Sequence, residues 1–206
     1  MENDKPMEAL VTQAVNDLQG NTQQRWPHLQ PRANALKKSH SDLNAFCLVF
    51  NPDLQKAVAR NEERAITGTA PTMKVIDIAY GEGSAAAWLL PQIHDLSSYC
   101  GVRDLEAKAA AQMAGIIASE YSYLKATEVM LFFHRFKAGM YGQFYGRVDP
   151  LIIMEALRNG FMPQRASVIE KLAREEKRLE REQWRKQAAT PEEIEKIKVK
   201  LQHYEQ

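Results

Sequence analysis

Residues 132–150, FFHRFKAGMYGQFYGRVDP, constrain the fold of this chain more than any other stretch. Gly139, Gly142 and Gly146 place three glycines within eight residues, so a helix arriving from the N-terminal side stops there. Asp149-Pro150 starts the next one: the carboxylate accepts free N–H groups of a first turn, and proline fits the first helical position. The pattern therefore predicts two helices joined by a glycine-hinged aromatic loop. The first covers 126–137, with Val129, Met130, Phe132, Phe133 and Phe136 turned largely inward. The second covers 150–158, carries Leu151, Ile152, Met154, Ala156 and Leu157, and stops at Asn159-Gly160.

Upstream, helical signals continue. Met73, Ile76 and Tyr80 share a face ended by Gly81 and Gly83. Ser84 is the expected cap of a helix bearing Trp88, Leu89, Ile93 and Leu96, kinked or restarted at Pro91 and closed by Gly101. Asp104 is the expected cap of a helix whose face is Leu105, Ala109, Met113, Ile116 and Ile117. Tyr121 and Tyr123 fall in a short connection. Earlier still, the run Ala45 to Phe50 reads equally as a buried strand or one turn of buried helix. Asn51-Pro52-Asp53 starts a helix reaching about Arg64, and residues 66–71 form a loop. Residues 1–40 are polar and weakly periodic, apart from a short helix over 7–18, and Trp26 is their natural anchor.

Downstream, Met162-Pro163-Gln164 is the expected break before a charged helix over 167–187. Ile169, Leu172 and Leu179 form its interrupted apolar seam, and Glu170–Arg174 and Glu182–Lys186 are favourable pairs. Thr190-Pro191-Glu192-Glu193 is a capping box, after which Ile194, Ile197, Leu201 and Tyr204 lie on a three-four seam. Two amphipathic helices so joined read as a hairpin, packing in cis or meeting a second subunit in trans. The expected fold is all-α: an N-terminal arm over 1–40, a helical domain over 41–165 and a helical hairpin extension over 166–206.

Function is less constrained. Lys+Arg 27 against Asp+Glu 26 leaves a net charge of +1, so affinity for nucleic acid needs a local patch rather than overall charge. The central loop is the candidate patch. Arg135, Lys137 and Arg147 supply cations for phosphates, and Tyr141 and Tyr145 supply faces on which bases stack. The competing reading is that these rings plug the core while Gly139, Gly142 and Gly146 merely permit the turn. The outward-facing reading is the one adopted here.

No catalytic set appears, so a non-enzymatic role is expected, with no cofactor. His94 and His134 are isolated, no Glu-x-x-His pair accompanies Glu120 and Glu128, and the GEGS at 81–84 lacks the ending of a phosphate loop. No metal site is expected. Cys47 and Cys100 fit no metal spacing and are expected as two buried thiols in a reducing compartment. No apolar run of about 20 residues and no signal-peptide core appear, so no membrane contact and a cytoplasmic location are expected.

Residues from Pro71 to about Arg165 resemble a family of small, helical, uncharacterised proteins encoded by phages and conjugative elements of gut bacteria. The resemblance lies in IAYGEGSAAAWLLPQIHDL, YSYLKATEVMLFFHRFKAG and MYGQFYGRVDP with LIIMEALR, most specifically in Gly139, Tyr141, Gly142, Phe144, Tyr145, Gly146 and Asp149. A similar Gly-Tyr-Gly loop occurs in some phage replication accessory proteins. The resemblance leaves out the charged extension. The resemblance brings no established activity; with the candidate loop, the expected role is an accessory or adaptor of a mobile element, most naturally in DNA replication, with single-stranded nucleic acid or a protein as partner. The alternative is an interaction module forming a homo-oligomer through 167–206.

Overall fold

A computed structural model describes residues 26–101, 103, 105–187 and 196. The protein is all-α, and among the described residues β-structure is confined to two isolated bridges. No described helix is long and apolar enough to cross a membrane. The chain divides into two compact units, Met1–Gln164 and Arg165–Gln206.

The first unit begins within the segment read as an arm. After a 3-10 turn at Pro27–Leu29, α1 (Gln30–Ser39) buries Ala33 and Leu36 and packs on α5 (Met73–Tyr80). Only these two positions, one helical turn apart, are buried in an otherwise largely polar stretch, which is why periodicity misses it. Trp26 does anchor this segment: the Lys74 ammonium lies over its ring, 5.5 Å from the centroid. The expected helix over 7–18 lies outside the described residues.

The run left open between strand and helix is helical. α2 (Leu43–Val49) is capped by Asp42, whose carboxylate accepts the Ala45 N–H. It buries Phe46 completely and leaves Leu48 exposed, the division a helix makes of an apolar run. The helix expected from Asn51 to Arg64 is two helices. Following a 3-10 turn at Pro52–Leu54, α3 (Gln55–Ala59) ends, and Asn61 caps α4 (Glu62–Thr67) by accepting the Arg64 N–H. Trp88 and Gln92 of α6 (Ser84–Cys100) both donate to the Phe50 carbonyl, at 2.8 and 3.0 Å. Gln55 donates in turn to Gln92 at 2.6 Å, so a buried polar chain ties α2, α3 and α6.

Gly81 and Gly83, with φ of 108° and 85°, separate α5 from α6 as expected. Ser84 is the first residue of α6 rather than its cap, because the Asp77 carboxylate reaches from α5 to accept the Ala85 N–H at 2.9 Å. Burial raises the Asp77 pKa, partly offset by that hydrogen bond. Pro91 lies inside α6 without ending it, and Gly101 closes the helix at φ 63°.

α7 (Ala107–Glu120) buries Met113, Ala114, Ile117 and Ala118, whereas Ile116, expected inside, is half exposed. The expected cap Asp104 lies outside the described residues. α8 (Ala126–Lys137) has the expected bounds and is the core helix, with Val129 to Phe133 and Phe136 all buried. Residues 121–127 join several helix ends. Lys125 Nζ and Thr127 Oγ1 donate to the terminal carbonyls of α4 at Ile66 and Ala65. The first N–H groups of α5, at Met73 and Lys74, donate to Leu124 and Ser122. Helix ends left unpaired inside the protein are costly, and this junction pairs them.

Asn159-Gly160 and Met162-Pro163-Gln164 do not break the chain. α9 (Pro150–Glu155) widens into a π-helical turn, Ala156–Phe161, and continues as α10 (Met162–Gln187). The Met162 N–H bonds Leu157, five residues back, so the ordinary register is already interrupted where Pro163 lacks an N–H. Proline is tolerated for that reason.

In the second unit, α10 from Arg165 onward carries the expected Glu170–Arg174 pair, while Glu182 faces Arg178 at 3.9 Å. Ile169, Leu179 and Trp184 are exposed on it. Lys196 is helical, but otherwise the second helix of the expected hairpin, with its capping box and its Ile194–Tyr204 seam, lies outside the described residues. The two cysteines differ from expectation: Cys47 is half-buried and Cys100 exposed, both unpaired, with burial raising each thiol pKa.

Candidate functional site

The loop between α8 and α9 is held in one shape by its backbone. Gly139, Gly142 and Gly146 all have positive φ, at 78°, 110° and 78°, where a side chain would be strained. An isolated parallel bridge then fixes the loop's far end. The Arg103 N–H donates to Gly146, and the Val148 N–H donates to Arg103, at 3.2 and 3.1 Å. Val148 is fully buried, and Asp149 accepts the Leu151 N–H to start α9.

The five residues expected to form one contact surface divide into two groups. Tyr141 is half-buried and packs against the core. Its ring stacks on Phe132 with centroids 5.6 Å apart and meets Phe136 edge-on. Its hydroxyl donates to Gln164 Oε1 at 2.8 Å, and burial raises its pKa, opposed by the hydrogen bond and charge of Arg135. Gly160 completes the socket, because a Cβ there would meet the Tyr141 ring at 2.6 Å. Phe144 stacks on Phe136 at 5.0 Å.

Arg135 and Lys137 are also committed within the fold. Arg135 pairs with Glu62 of α4, donates to Gln164 Oε1 at 2.9 Å and lies over the Phe161 ring; its side chain is 12% exposed. Lys137 pairs with Asp95 of α6 at 2.7 Å and lies over Tyr99. Two cations so neutralised have little to offer a phosphate. The expectation that Arg135, Lys137 and Tyr141 face a ligand is thus at odds with their geometry: helix-surface bases at the end of α8 found carboxylates on neighbouring helices.

Tyr145 and Arg147 remain. Tyr145 is 86% exposed, the most exposed large hydrophobic side chain among the described residues. Arg147 is exposed two residues on. Beside it, across the bridge, stands Arg103, also exposed, which sequence reasoning did not single out. Forty-four positions separate the two arginines, and no local pattern marks the pairing. Arginine keeps its charge throughout the physiological range and presents a planar fork of donors. An exposed phenol ring two residues along the chain from such a fork can stack, donate and accept, which is binding chemistry.

Residues 106–202 are similar to a family of unknown function, DUF6633. That span begins later than the resemblance described above and runs on through the charged extension, which the resemblance leaves out. No curated protein and no solved structure matches the chain.

Proposed function

We propose that the chain is a non-enzymatic accessory protein of a phage or conjugative element, acting in DNA replication in the cytoplasm, and that its Gly-Tyr-Gly loop contacts single-stranded nucleic acid. The observation that carries the contact is Tyr145, 86% exposed at the tip of a loop whose three glycines and backbone bridge hold it in place. Loops positioned by a packed scaffold are where binding residues concentrate, and an outward aromatic ring is a face on which a base can stack. The mobile-element and replication setting rests on the resemblance over residues 71–165. Fluorescence anisotropy with a labelled thymidine oligonucleotide at low salt tests the reading. Wild-type protein binds and Tyr145→Ala binds less tightly; absence of wild-type binding overturns it.

A second reading is favoured by α10, whose Leu179 and Trp184 are 52% and 74% exposed. In that reading residues 167–206 pair with the same segment of a second copy. Light scattering of the full chain against one ending at Arg165 decides it: an unchanged mass per residue ratio, both monomeric, removes self-association.

A further inference from the structure

We infer that Arg103 and Arg147 together form a clamp for a backbone phosphate of single-stranded nucleic acid, set so that the adjoining base reaches Tyr145. The inference deepens the proposed function and rests on it.

The parallel bridge is the starting point. Paired residues on neighbouring extended segments start their side chains roughly 5 Å apart. Here both partners are arginine. Like charges directly opposite one another are unfavourable, and an anion bound between them turns the pairing into a favourable one. Among the described residues neither guanidinium has a carboxylate partner, unlike Arg135 and Lys137, which have Glu62 and Asp95. The nearest acid along the chain that could serve Arg147, Asp149, has its carboxylate oxygen on the Leu151 N–H at 2.8 Å. Glu106 is exposed at the head of α7, where the helix N-terminus favours it.

An external anion seated between the two guanidinium groups would relieve that repulsion. A phosphate offers the several oxygens that two forks can share, and arginine suits it better than lysine does. An inorganic phosphate or a peptide carboxylate would leave Tyr145 idle. A nucleotide uses both features, since its phosphate meets cations and its base stacks on an aromatic face. The backbone that carries the two arginines is joined before binding. The bridge is made by main-chain atoms, and Gly146 at φ 78° sets the turn between ring and guanidinium.

The test is a salt titration of oligonucleotide binding by the full chain, read by anisotropy with a labelled 20-mer of thymidine. Arg103→Ala and Arg147→Ala each weaken binding about 5–20-fold at low salt and each lower the slope of log affinity against log salt by about 0.7. Tyr145→Ala weakens binding while leaving the slope unchanged. Neither arginine substitution removes a main-chain bond and each relieves the like-charge pairing, so thermal unfolding stays as in wild type or shifts slightly upward; Arg103→Gln serves as a second variant with a longer side chain. If Arg147→Ala weakens binding and neither Arg103 variant does, the clamp is overturned and the proposed function stands. If Arg103→Ala weakens binding without changing the slope, Arg103 does not neutralise phosphate and the clamp is likewise overturned. If polyglutamate at matched ionic strength displaces the oligonucleotide as well as unlabelled thymidine 20-mer does, the arginines take carboxylates and the nucleic-acid assignment fails. If wild type binds no oligonucleotide, clamp and proposed function fall together.

Discussion

Replacing Gly160 by alanine tests whether Tyr141 is a structural plug or a ligand-facing ring. In an ordinary helix the change favours folding by up to about 1 kcal/mol. Here the added methyl meets Cδ1 and Cε1 of Tyr141 at 2.6 and 2.8 Å. The ring must retreat by roughly 1 Å to reach normal carbon–carbon separation. It cannot do so freely, because Phe132 stacks on it and Gln164 holds its hydroxyl. Overpacking of this kind costs about 1–3 kcal/mol. The net expectation is a loss of about 1–2 kcal/mol, or a fall in melting temperature of about 2–8 °C for a chain of this size. Urea unfolding of wild type, Gly160→Ala, Tyr141→Ala and the double variant measures it. Once the ring is gone the methyl has room, so Gly160→Ala becomes neutral or stabilising in the Tyr141→Ala background. The coupling between the two sites is then about 2 kcal/mol. A Gly160→Ala variant as stable as wild type, or one equally destabilising in both backgrounds, refutes the argument that the ring is locked against the π-helical turn.

The two groups of loop residues differ in stability as they do in position. Arg135→Ala strips Glu62 and Gln164 of a mostly buried partner and lowers stability by about 2 kcal/mol, whereas Arg147→Ala changes it by less than about 0.5 kcal/mol in the same urea assay. Gln92→Leu leaves the buried Gln55 amide without its acceptor and removes one of two donors from the Phe50 carbonyl; denaturation shows a loss of about 1–3 kcal/mol. Burial, then Lys137 and Lys56, hold the His134 pKa below its ordinary value of about 6.5. The unfolded chain therefore takes up a proton first as the pH falls, and stability drops from about pH 6.5 downward until the folded pKa is passed. His134→Gln flattens that part of the stability–pH curve, and an NMR titration of the imidazole placing its pKa at or above 6.5 counts against it.

Local chemistry made much of this fold legible. The bounds of α8 follow from an apolar face that ends at Phe136, three residues before the left-handed Gly139, and the start of α9 follows from Asp149-Pro150. What local chemistry does not carry is long-range pairing. Glu62 lies 73 positions before Arg135 and Asp95 lies 42 before Lys137, so bases that look free in the sequence are neutralised in space. Gln164 behaves likewise: a glutamine beside a proline reads as a break, yet it accepts from two residues of the central stretch. Gly160 reads as a stop because glycine so often ends helices, but here its lack of a side chain makes room for a ring. Within the candidate site, Tyr145 and Arg147 were visible as residue types, and Arg103 was not, since only the bridge brings it near.

The junction at 121–127 has a consequence for the order in which the protein matures. The closing carbonyls of α4 and the opening amides of α5 find their partners only in residues encoded about fifty to sixty codons later. A nascent chain halted before residue 121 leaves those groups to solvent, and short helices alone in water are marginal. Those helix ends are therefore completed only after the later segment has left the ribosomal tunnel.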